Sequence, residues 1–298
     1  MSETAVLQHE SAGAVRDYLE LAKARVISLI LVVTAAGFLI ANPFFVSLPL
    51  FALTLLGTAL VAAGTNGFNQ IVEQDADRLM DRTRRRPLPA GRLTNTGAIT
   101  FSIFTIASGF AVLAIGANLL SALLALTTTA TYLLFYTPLK RRTSLATIAG
   151  AVPGAIPPMI GWSAATGSLT PGAWMLFALL FVWQLPHFFA IGHLYRDDYR
   201  KGGFRLLCVV DEGGRQAGLQ AVLYSLILLP LTLAFPIVGI GGPWTAAAAF
   251  TLSIFLVVRA FRFHLNRSRE RARSLFMGSN VYLLLVMIFA VAGTWLAR

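Results

Sequence analysis

The sequence has few charged residues and almost no cysteine. Only 12% of its 298 residues are charged and 56% are hydrophobic, with a mean hydropathy of +0.71. Soluble domains carry about a quarter of their residues as charges, so this composition excludes that class and indicates an integral membrane protein. Its one cysteine, Cys208, cannot form an intramolecular disulfide.

Acidic residues are scarce as well, and 24 Lys and Arg against 13 Asp and Glu give a net charge of +11. The excess does not indicate nucleic-acid binding, because the basic residues lie in clusters between apolar runs, as in cytoplasmic loops that face anionic lipid. No arginine precedes Arg16, so we expect neither a secretory signal peptide nor a mitochondrial presequence. We predict a multi-pass protein of a bacterial inner (plasma) membrane, surrounded by lipid and without a nucleic-acid partner.

Nine apolar runs are long enough, or nearly so, to cross about 30 Å of hydrocarbon. They lie near residues 26–42, 48–69, 98–117, 119–138, 145–165, 171–194, 217–237, 243–260 and 275–296. Apart from Arg298, the basic residues fall only in alternate connections, which predicts a cytoplasmic N-terminal segment at 1–22. We therefore predict an all-α, nine-transmembrane-helix bundle that forms a single domain over residues 1–298.

The most informative stretch is NQIVEQDADRLMDRTRRRP at 69–87, directly after the second apolar run. If that run continues as a helix, Asn69, Glu73, Asp77 and Asp81 follow one another at four-residue spacing. Each is then displaced by about 40° around the helix axis from the one before, and the four form one acidic stripe. Such carboxylates are costly, roughly 2.5 to 3.5 kcal/mol each at the bilayer centre and less near the interface. The stripe favours a Mg²⁺ site that shares its ion with a substrate's phosphates, and a solvated loop of balanced charges is the alternative.

Basic residues beside the stripe suit the same phosphates. Arg82 and Arg86 follow it, and guanidinium groups bind phosphate oxygens bidentately. The sequence YTPLKRRT at 136–143 brings Lys140 and Arg141 to the same predicted surface. The alternative is that these residues only set the topology.

A second acidic pair, Asp197 and Asp198, lies in WQLPHFFAIGHLYRDDYRKGG at 183–203. Together with the stripe, it favours a second metal position, with Lys201, Tyr195 and Tyr199 within reach of a diphosphate. The alternative is an interfacial aromatic belt followed by a solvated turn.

Pro186 predicts a kinked helix beside a cavity, because it removes one backbone hydrogen bond. His187 follows it in an otherwise apolar run. We consider it a candidate general base or haem-iron ligand, and a hydrogen-bonded packing histidine is the alternative.

These motifs, together with PPMIGW at 157–162, resemble the UbiA superfamily of intramembrane prenyltransferases, and within it the branch that farnesylates haem. The resemblance implies a central cavity open to lipid, with farnesyl diphosphate and haem B as substrates and Mg²⁺ as cofactor. It implies transfer of the farnesyl group to a vinyl group of haem B with addition of water. It also suggests a contact with the next enzyme of haem A synthesis.

Residue by residue, the resemblance implies metal binding by Asn69, Glu73 and Asp77 and diphosphate binding by Arg82 and Arg86. The superfamily's second acidic motif has two aspartates four apart, whereas this chain has adjacent aspartates at 197 and 198 and tyrosines at the four-residue spacing.

The predicted site is as follows. Metal ligands are Asn69, Glu73, Asp77, Asp81, Asp197 and Asp198, with Asp77 and Asp198 catalytic; diphosphate contacts are Arg82, Arg86, Lys140, Arg141 and Lys201; substrate contacts are His187, Tyr195 and Tyr199. Two other functions remain open, prenylation of an aromatic acid in quinone synthesis and transport through a midplane site formed by broken helices.

Overall fold

The computed structural model describes residues 3–42 and 46–297, and the regular structure of this part of the chain is entirely helical. The all-α prediction is confirmed. In chain order the helices are α1 (Glu3–Ala22), α2 (Ala24–Ala41), α3 (Leu48–Val72), α4 (Gln74–Leu79), α5 (Asn95–Gly116), α6 (Leu119–Ala130), α7 (Thr137–Leu139), α8 (Ala146–Ala155), α9 (Pro157–Thr166), α10 (Pro171–Leu194), α11 (Arg196–Lys201), α12 (Leu207–Val210), α13 (Arg215–Leu233), α14 (Pro243–Leu265) and α15 (Arg269–Leu296).

Eight helical segments are long and apolar enough to cross a membrane, so the chain is a multi-pass membrane protein. They are α2, α3, α5, α10, α13, α14, α15 and the segment Leu119–Leu139, in which a π-helical turn, Thr131–Tyr136, joins α6 to α7. The predicted fifth run, 145–165, forms α8 and α9, two helices of 10 residues that meet at Ile156. Pro157 and Pro158 explain this break because neither has a backbone N–H to donate.

The count of nine membrane helices and the cytoplasmic side of the N-terminus stay predictions. The connection between the first two predicted runs, 43–47, falls partly outside the described residues, and Arg298 lies wholly outside them.

The central helix of the bundle is α10. In its most apolar 18 residues, 61% are buried, against 17–44% in the other spans. It packs against α8, α13 and α15. Side chains of α10 that are only half-buried therefore border open space inside or beside the bundle.

Two glycines allow α2 to cross α9 at close range. A Cβ on Gly161 would collide with the backbone oxygen of Thr34, and one on Gly37 would collide with that of Pro158. Residues without a side chain permit such an approach between membrane helices. The crossing fixes the PPMIGW segment against the first membrane helix.

Four helix ends meet at one end of the bundle, which we call the charged end: the start of α2 and the ends of α3, α7 and α10. The loops between them are tied together by the bond from Arg205 N to Lys140 O at 2.7 Å. Ala76, Met80 and Phe204 belong to one buried apolar cluster beneath these loops. The charged end is therefore a packed structure and not a set of independent loops.

Candidate metal and diphosphate site

The end of α3 and the start of α4 present three oxygen-bearing side chains on one face. Glu73, with φ −96° and ψ 5°, separates α3 from α4, but helical hydrogen bonds continue across it, from Glu73 N to Asn69 O at 3.0 Å and from Asp77 N to Glu73 O at 2.8 Å. All three residues are buried, with exposures of 1% for Asn69, 6% for Glu73 and 0% for Asp77. We call these three residues the oxygen face.

Asp81 does not continue this face. Helix α4 ends at Leu79, and Met80 has an extended backbone, so the chain turns away before Asp81. The Asp81 carboxylate is 57% exposed and lies 2.6 Å from Lys201 Nζ and 3.7 Å from Arg84 Nη1. The Lys201 ammonium, with a smaller effect from Arg84, lowers the pKa of Asp81. Two predicted site residues, Asp81 and Lys201, thus pair with each other at the surface.

Each side chain of the oxygen face is hydrogen-bonded to a cationic residue. The pairs are Lys23 Nζ with Asn69 Oδ1 at 2.7 Å, Lys140 Nζ with Glu73 Oε1 at 2.8 Å, and Arg86 Nη1 with Asp77 Oδ2 at 2.7 Å. The other carboxylate oxygen, Asp77 Oδ1, is buried and has no hydrogen-bond partner among the described residues. The structure thus brings together Asn69, Glu73, Asp77, Arg86 and Lys140.

The charges around the oxygen face shift the pKa values of its members. Burial acts most strongly on Lys23, and together with the Arg86 guanidinium it lowers the pKa of Lys23 to about 7. Burial alone would raise the pKa of Glu73, but the Lys140 ammonium reverses this effect and the pKa is lowered. Glu73 is therefore an ionised carboxylate at neutral pH.

The second acidic pair is not brought to the oxygen face. Asp198 accepts two backbone hydrogen bonds, from Asp81 N to Oδ1 at 3.1 Å and from Arg82 N to Oδ2 at 3.3 Å. The Asp197 side chain is 87% exposed and lies 3.6 Å from Arg200 Nη1. In the described residues, both acids therefore contact groups of the surface loops.

Arg82 lies over two aromatic rings. Its guanidinium carbon is 5.0 Å from the centroid of the Tyr195 ring and 6.0 Å from that of Tyr199. Burial raises the pKa of Tyr199 to about 12, so its phenol is protonated at neutral pH. No carboxylate of the described residues pairs with Arg82. Arg82 is thus held at the charged end with its N–H groups free of acidic partners.

His187 lies deeper, where α10 packs against α15. Its Nδ1 is 2.9 Å from Ser279 Oγ, and the Ser279 hydroxyl donates to Phe276 O at 2.7 Å. Because the hydroxyl proton of Ser279 is donated to Phe276 O, Ser279 Oγ accepts a hydrogen bond from the Nδ1–H of His187. The free lone pair of the imidazole is then on Nε2. The imidazole is half-buried beside two aromatic rings. Its centroid lies 5.2 Å from the ring centroid of Trp183 and 4.9 Å from that of Phe276. Tyr195 lies eight residues further along, about 12 Å up the helix axis, so the tyrosines and His187 occupy different levels.

Comparison with known proteins decides the family. Residues 30–296 match the UbiA prenyltransferase family. The chain belongs to this family. It is 41% identical to the protoheme IX farnesyltransferase of Solibacter usitatus over 280 residues, which cover 91% of this chain and 96% of that protein. The protoheme IX farnesyltransferase of Gloeobacter violaceus is also 41% identical, over 93% of this chain and 91% of the relative.

Solved structures support the UbiA fold. Digeranylgeranylglyceryl phosphate synthase superimposes with a TM-score of 0.76 at 17% identity, covering 94% of this chain and 98% of that one. A UbiA homolog from Archaeoglobus fulgidus, bound to DMAPP and Mg²⁺, has a TM-score of 0.66 at 17% identity and covers 95% of this chain and all of its own. At such identities the likeness concerns the fold alone.

The oxygen face of this UbiA protein has the donors that Mg²⁺ prefers. In the described residues no three His, Cys, Asp or Glu side chains converge. The protein therefore offers two carboxylates and one amide, which suits an ion that keeps waters and takes further ligands from phosphates. The buried, unpartnered Asp77 Oδ1 is a free ligand position on this face.

Lys23 is a site residue that no sequence motif indicated. By sequence it is one of the basic residues of alternate connections, which in this UbiA protein predict only the topology. The structure places it beside Asn69 because its left-handed backbone, φ 57°, breaks the chain between α1 and α2. Arg141, in contrast, is exposed and outside the contacts of the oxygen face.

Proposed function

We propose that this protein transfers the farnesyl group of farnesyl diphosphate to a vinyl group of haem B, with addition of water, to give haem O. The observation that carries the proposal is the buried oxygen face in a chain 41% identical to protoheme IX farnesyltransferases. The C1–O bond of farnesyl diphosphate breaks, C1 bonds to the terminal vinyl carbon, and water adds a hydroxyl to the inner vinyl carbon and loses a proton. Diphosphate is the leaving group.

The oxygen face and its cations would bind the diphosphate end of the donor. Asn69, Glu73 and Asp77 would hold Mg²⁺, which when bound supplies positive charge that neutralises the leaving diphosphate. Lys23, Lys140 and Arg86 already lie within 2.8 Å of these side chains. They are therefore placed to transfer their hydrogen bonds to phosphate oxygens, and Arg82 would add a fourth charge from the loop that also carries Arg86.

His187 is the candidate contact for the acceptor. Its Nε2 has a lone pair because Nδ1 donates to Ser279, and neutral imidazole with one fixed N–H is the form that ligates iron. The ring is only half-buried in the most buried helix of the bundle, so it borders open space. Trp183 and Phe276 flank it and would contact a flat macrocycle. We therefore propose that His187 binds the haem iron of the acceptor.

Several broader assignments belong to the same proposal. The bacterial origin of the relatives favours a bacterial plasma membrane, with the charged end on the cytoplasmic side, where the basic residues cluster. The chain would form a single prenyltransferase domain, since the family match runs over 30–296. A contact with the enzyme that consumes haem O stays a prediction.

Incubation of the purified protein with haem B, farnesyl diphosphate and Mg²⁺ tests the function. Mass analysis of the extracted haem should show the gain of one farnesyl group and one water. A parallel reaction with an aromatic acid as acceptor tests prenylation in quinone synthesis. Uptake of labelled substrate into proteoliposomes without turnover tests transport. An unchanged haem mass together with a prenylated aromatic acid would replace the proposal.

The His187 assignment has its own measurement. Haem B titrated into the wild type should give the absorption and paramagnetic resonance spectra of histidine-ligated iron, and His187→Ala should lose them. His193→Ala is the matched control, because His193 packs against Phe263 on another face of the same helix. Identical spectra for the wild type and His187→Ala would make His187 a packing residue.

A further inference from the structure

We infer that Asp198, Tyr195 and Tyr199 position Arg82 against the donor's diphosphate, so that a guanidinium of the first motif, held by the second, takes the place predicted for a second metal ion. The inference rests on the proposed function, because it concerns the same diphosphate. We call these three residues the Arg82 seat. Asp198 and the tyrosines are positioning residues, and only Arg82 would touch the substrate.

Asp198 fixes the backbone that carries Arg82. Its two oxygens accept from Asp81 N at 3.1 Å and from Arg82 N at 3.3 Å, across more than 110 residues of sequence. A carboxylate that accepts two adjacent N–H groups holds both residues in one orientation. If Asp198 turned towards a metal ion, these two exposed donors would have to bond to water instead, and the two segments would no longer be joined here. Its geometry is therefore that of a clamp between two loops.

The tyrosines fix the side chain of the same residue. Tyr195 and Tyr199 are four residues apart, so their rings lie on one side of the α10–α11 junction. The guanidinium lies 5.0 and 6.0 Å from the two ring centroids, within the range of cation–π attraction. Rings bind the face of a guanidinium and leave its edge N–H groups available, which is the edge that binds phosphate. The backbone and the side chain of Arg82 are thus both held from one neighbouring element.

Within the part of the chain that the structure describes, the surroundings of the Arg82 seat do not supply a metal site. Asp197 has an 87% exposed side chain and pairs with Arg200, and Asp81 pairs with Lys201 at 2.6 Å. The buried carboxylates of the charged end, Glu73 and Asp77, belong to the oxygen face. One metal ion at that face and the Arg82 guanidinium would therefore share the charge of the diphosphate.

Counting bound metal ions tests the inference without turnover. Mn²⁺ is titrated into the wild type in the presence of a non-reactive farnesyl thiodiphosphate, and the bound ions are counted by electron paramagnetic resonance. We expect one ion per chain, no spin coupling between ions, and the same count in Asp198→Asn. Two ions per chain in the wild type, or loss of one in Asp198→Asn, would overturn the inference.

Paired substitutions test the role of the rings. The double variant Tyr195→Leu, Tyr199→Leu should weaken binding of farnesyl thiodiphosphate about 2- to 30-fold, the range that corresponds to a cation–π contact. The double variant Tyr195→Phe, Tyr199→Phe keeps the rings and should stay within about 2-fold of the wild type. If the Phe pair weakened binding as much as the Leu pair, the phenol hydroxyls would be the functional groups and the seat would be wrong.

A comparison of Asp198→Asn with a control variant tests whether Asp198 positions the backbone of Arg82. Asn keeps one acceptor oxygen but loses the other, so Asp198→Asn should weaken binding of the thiodiphosphate about 2- to 10-fold and leave haem B binding unchanged. Asp75→Asn is the matched control, since Asp75 has an 88% exposed side chain and pairs with Arg78 within α4.

The outcomes separate this inference from the function. If the wild type binds one Mn²⁺ with the thiodiphosphate and the Leu pair weakens that binding, the Arg82 seat stands whichever acceptor is prenylated. If haem gains a farnesyl group but two ions bind, the function stands and the seat is refuted.

Discussion

The cations that occupy the oxygen face predict how Mg²⁺ and the diphosphate depend on each other. Lys140 Nζ is bonded to Glu73 Oε1 at 2.8 Å, where a metal ion would bind. A metal ion that binds alone must displace this lysine and leave it in a largely buried place without its carboxylate partner. A bound diphosphate would accept the displaced hydrogen bond. We therefore expect Mg²⁺ and farnesyl diphosphate to bind with positive coupling.

The size of this coupling follows from the ion pair between Lys140 and Glu73. The Lys140 and Glu73 side chains are only 12% and 8% exposed, so solvent screens their interaction little. A hydrogen bond to a charged group contributes about 1.5 to 3 kcal/mol, which corresponds to about 10- to 150-fold in a binding constant. Lys140→Met keeps most of the apolar stem and removes the competitor. The variant should bind Mn²⁺ alone more tightly by up to this factor, and should lose the same factor of coupling to the diphosphate.

Proton binding sets the pH range of this effect. Lys140 lowers the pKa of Glu73 against the effect of burial. In Lys140→Met burial acts without that opposition, so the pKa of Glu73 rises and the carboxyl takes up a proton as the pH falls through the new value. A protonated carboxyl does not bind metal. The gain in Mn²⁺ affinity should therefore be present at high pH and disappear on acidification.

Titration of Mn²⁺ with and without farnesyl thiodiphosphate, followed by paramagnetic resonance over a range of pH, measures the coupling. Arg92→Met is the matched control: Arg92 pairs with Glu20 at 2.7 Å, but at 41% and 40% exposure and away from the oxygen face. Surface pairs of that kind contribute about 0–1 kcal/mol, and the control should bind Mn²⁺ as the wild type does. Equal affinity of Lys140→Met and wild type for Mn²⁺ alone at high pH would refute the argument.

Three further predictions concern single residues. Asp77→Asn keeps the shape of the side chain but removes the charge of a metal-binding carboxylate. Product formation, measured by haem mass analysis, should fall by orders of magnitude while the protein still folds. Near-normal turnover with unchanged Mg²⁺ dependence would contradict this. Arg86→Lys keeps the positive charge but not the guanidinium fork, and should weaken binding of farnesyl thiodiphosphate while membrane insertion and haem B binding stay close to the wild type. Gly161→Leu should lower the thermal unfolding temperature, because the leucine side chain would collide with the backbone of Thr34 where α2 crosses α9. Such overpacking costs about 1–3 kcal/mol. An unchanged melting temperature would show that the helices separate freely.

The helical part of the site could be predicted from local periodicity. Asn69, Glu73 and Asp77 share a face because hydrogen bonds continue from α3 into α4. The same periodicity extended to Asp81, although the helix ends at Leu79. No proline or glycine lies between Asp77 and Pro87 to indicate that end. Tertiary contacts fix it instead, through Asp198 and the buried Met80.

Contacts between distant segments could not be predicted in the same way. Lys23 reaches Asn69 across 46 residues, and Asp198 reaches Arg82 across 116. Composition and spacing place all these residues at one end of the bundle, but they do not determine which acid pairs with which base. The choice depends on turn geometry, such as the left-handed backbone at Lys23.

The four-residue spacing of Tyr195 and Tyr199 shows how a motif can keep its geometry and change its chemistry. Residues four apart on a helix present side chains to one side, whether these are carboxylates or rings. Carboxylates at such positions would attract a metal ion, whereas rings attract a guanidinium, and Arg82 lies over both rings. The positive charge held by the two rings then belongs to the chain itself and is present at any metal concentration. Turnover should consequently rise with the first power of Mg²⁺ concentration below saturation, and a second-power dependence would require a second ion.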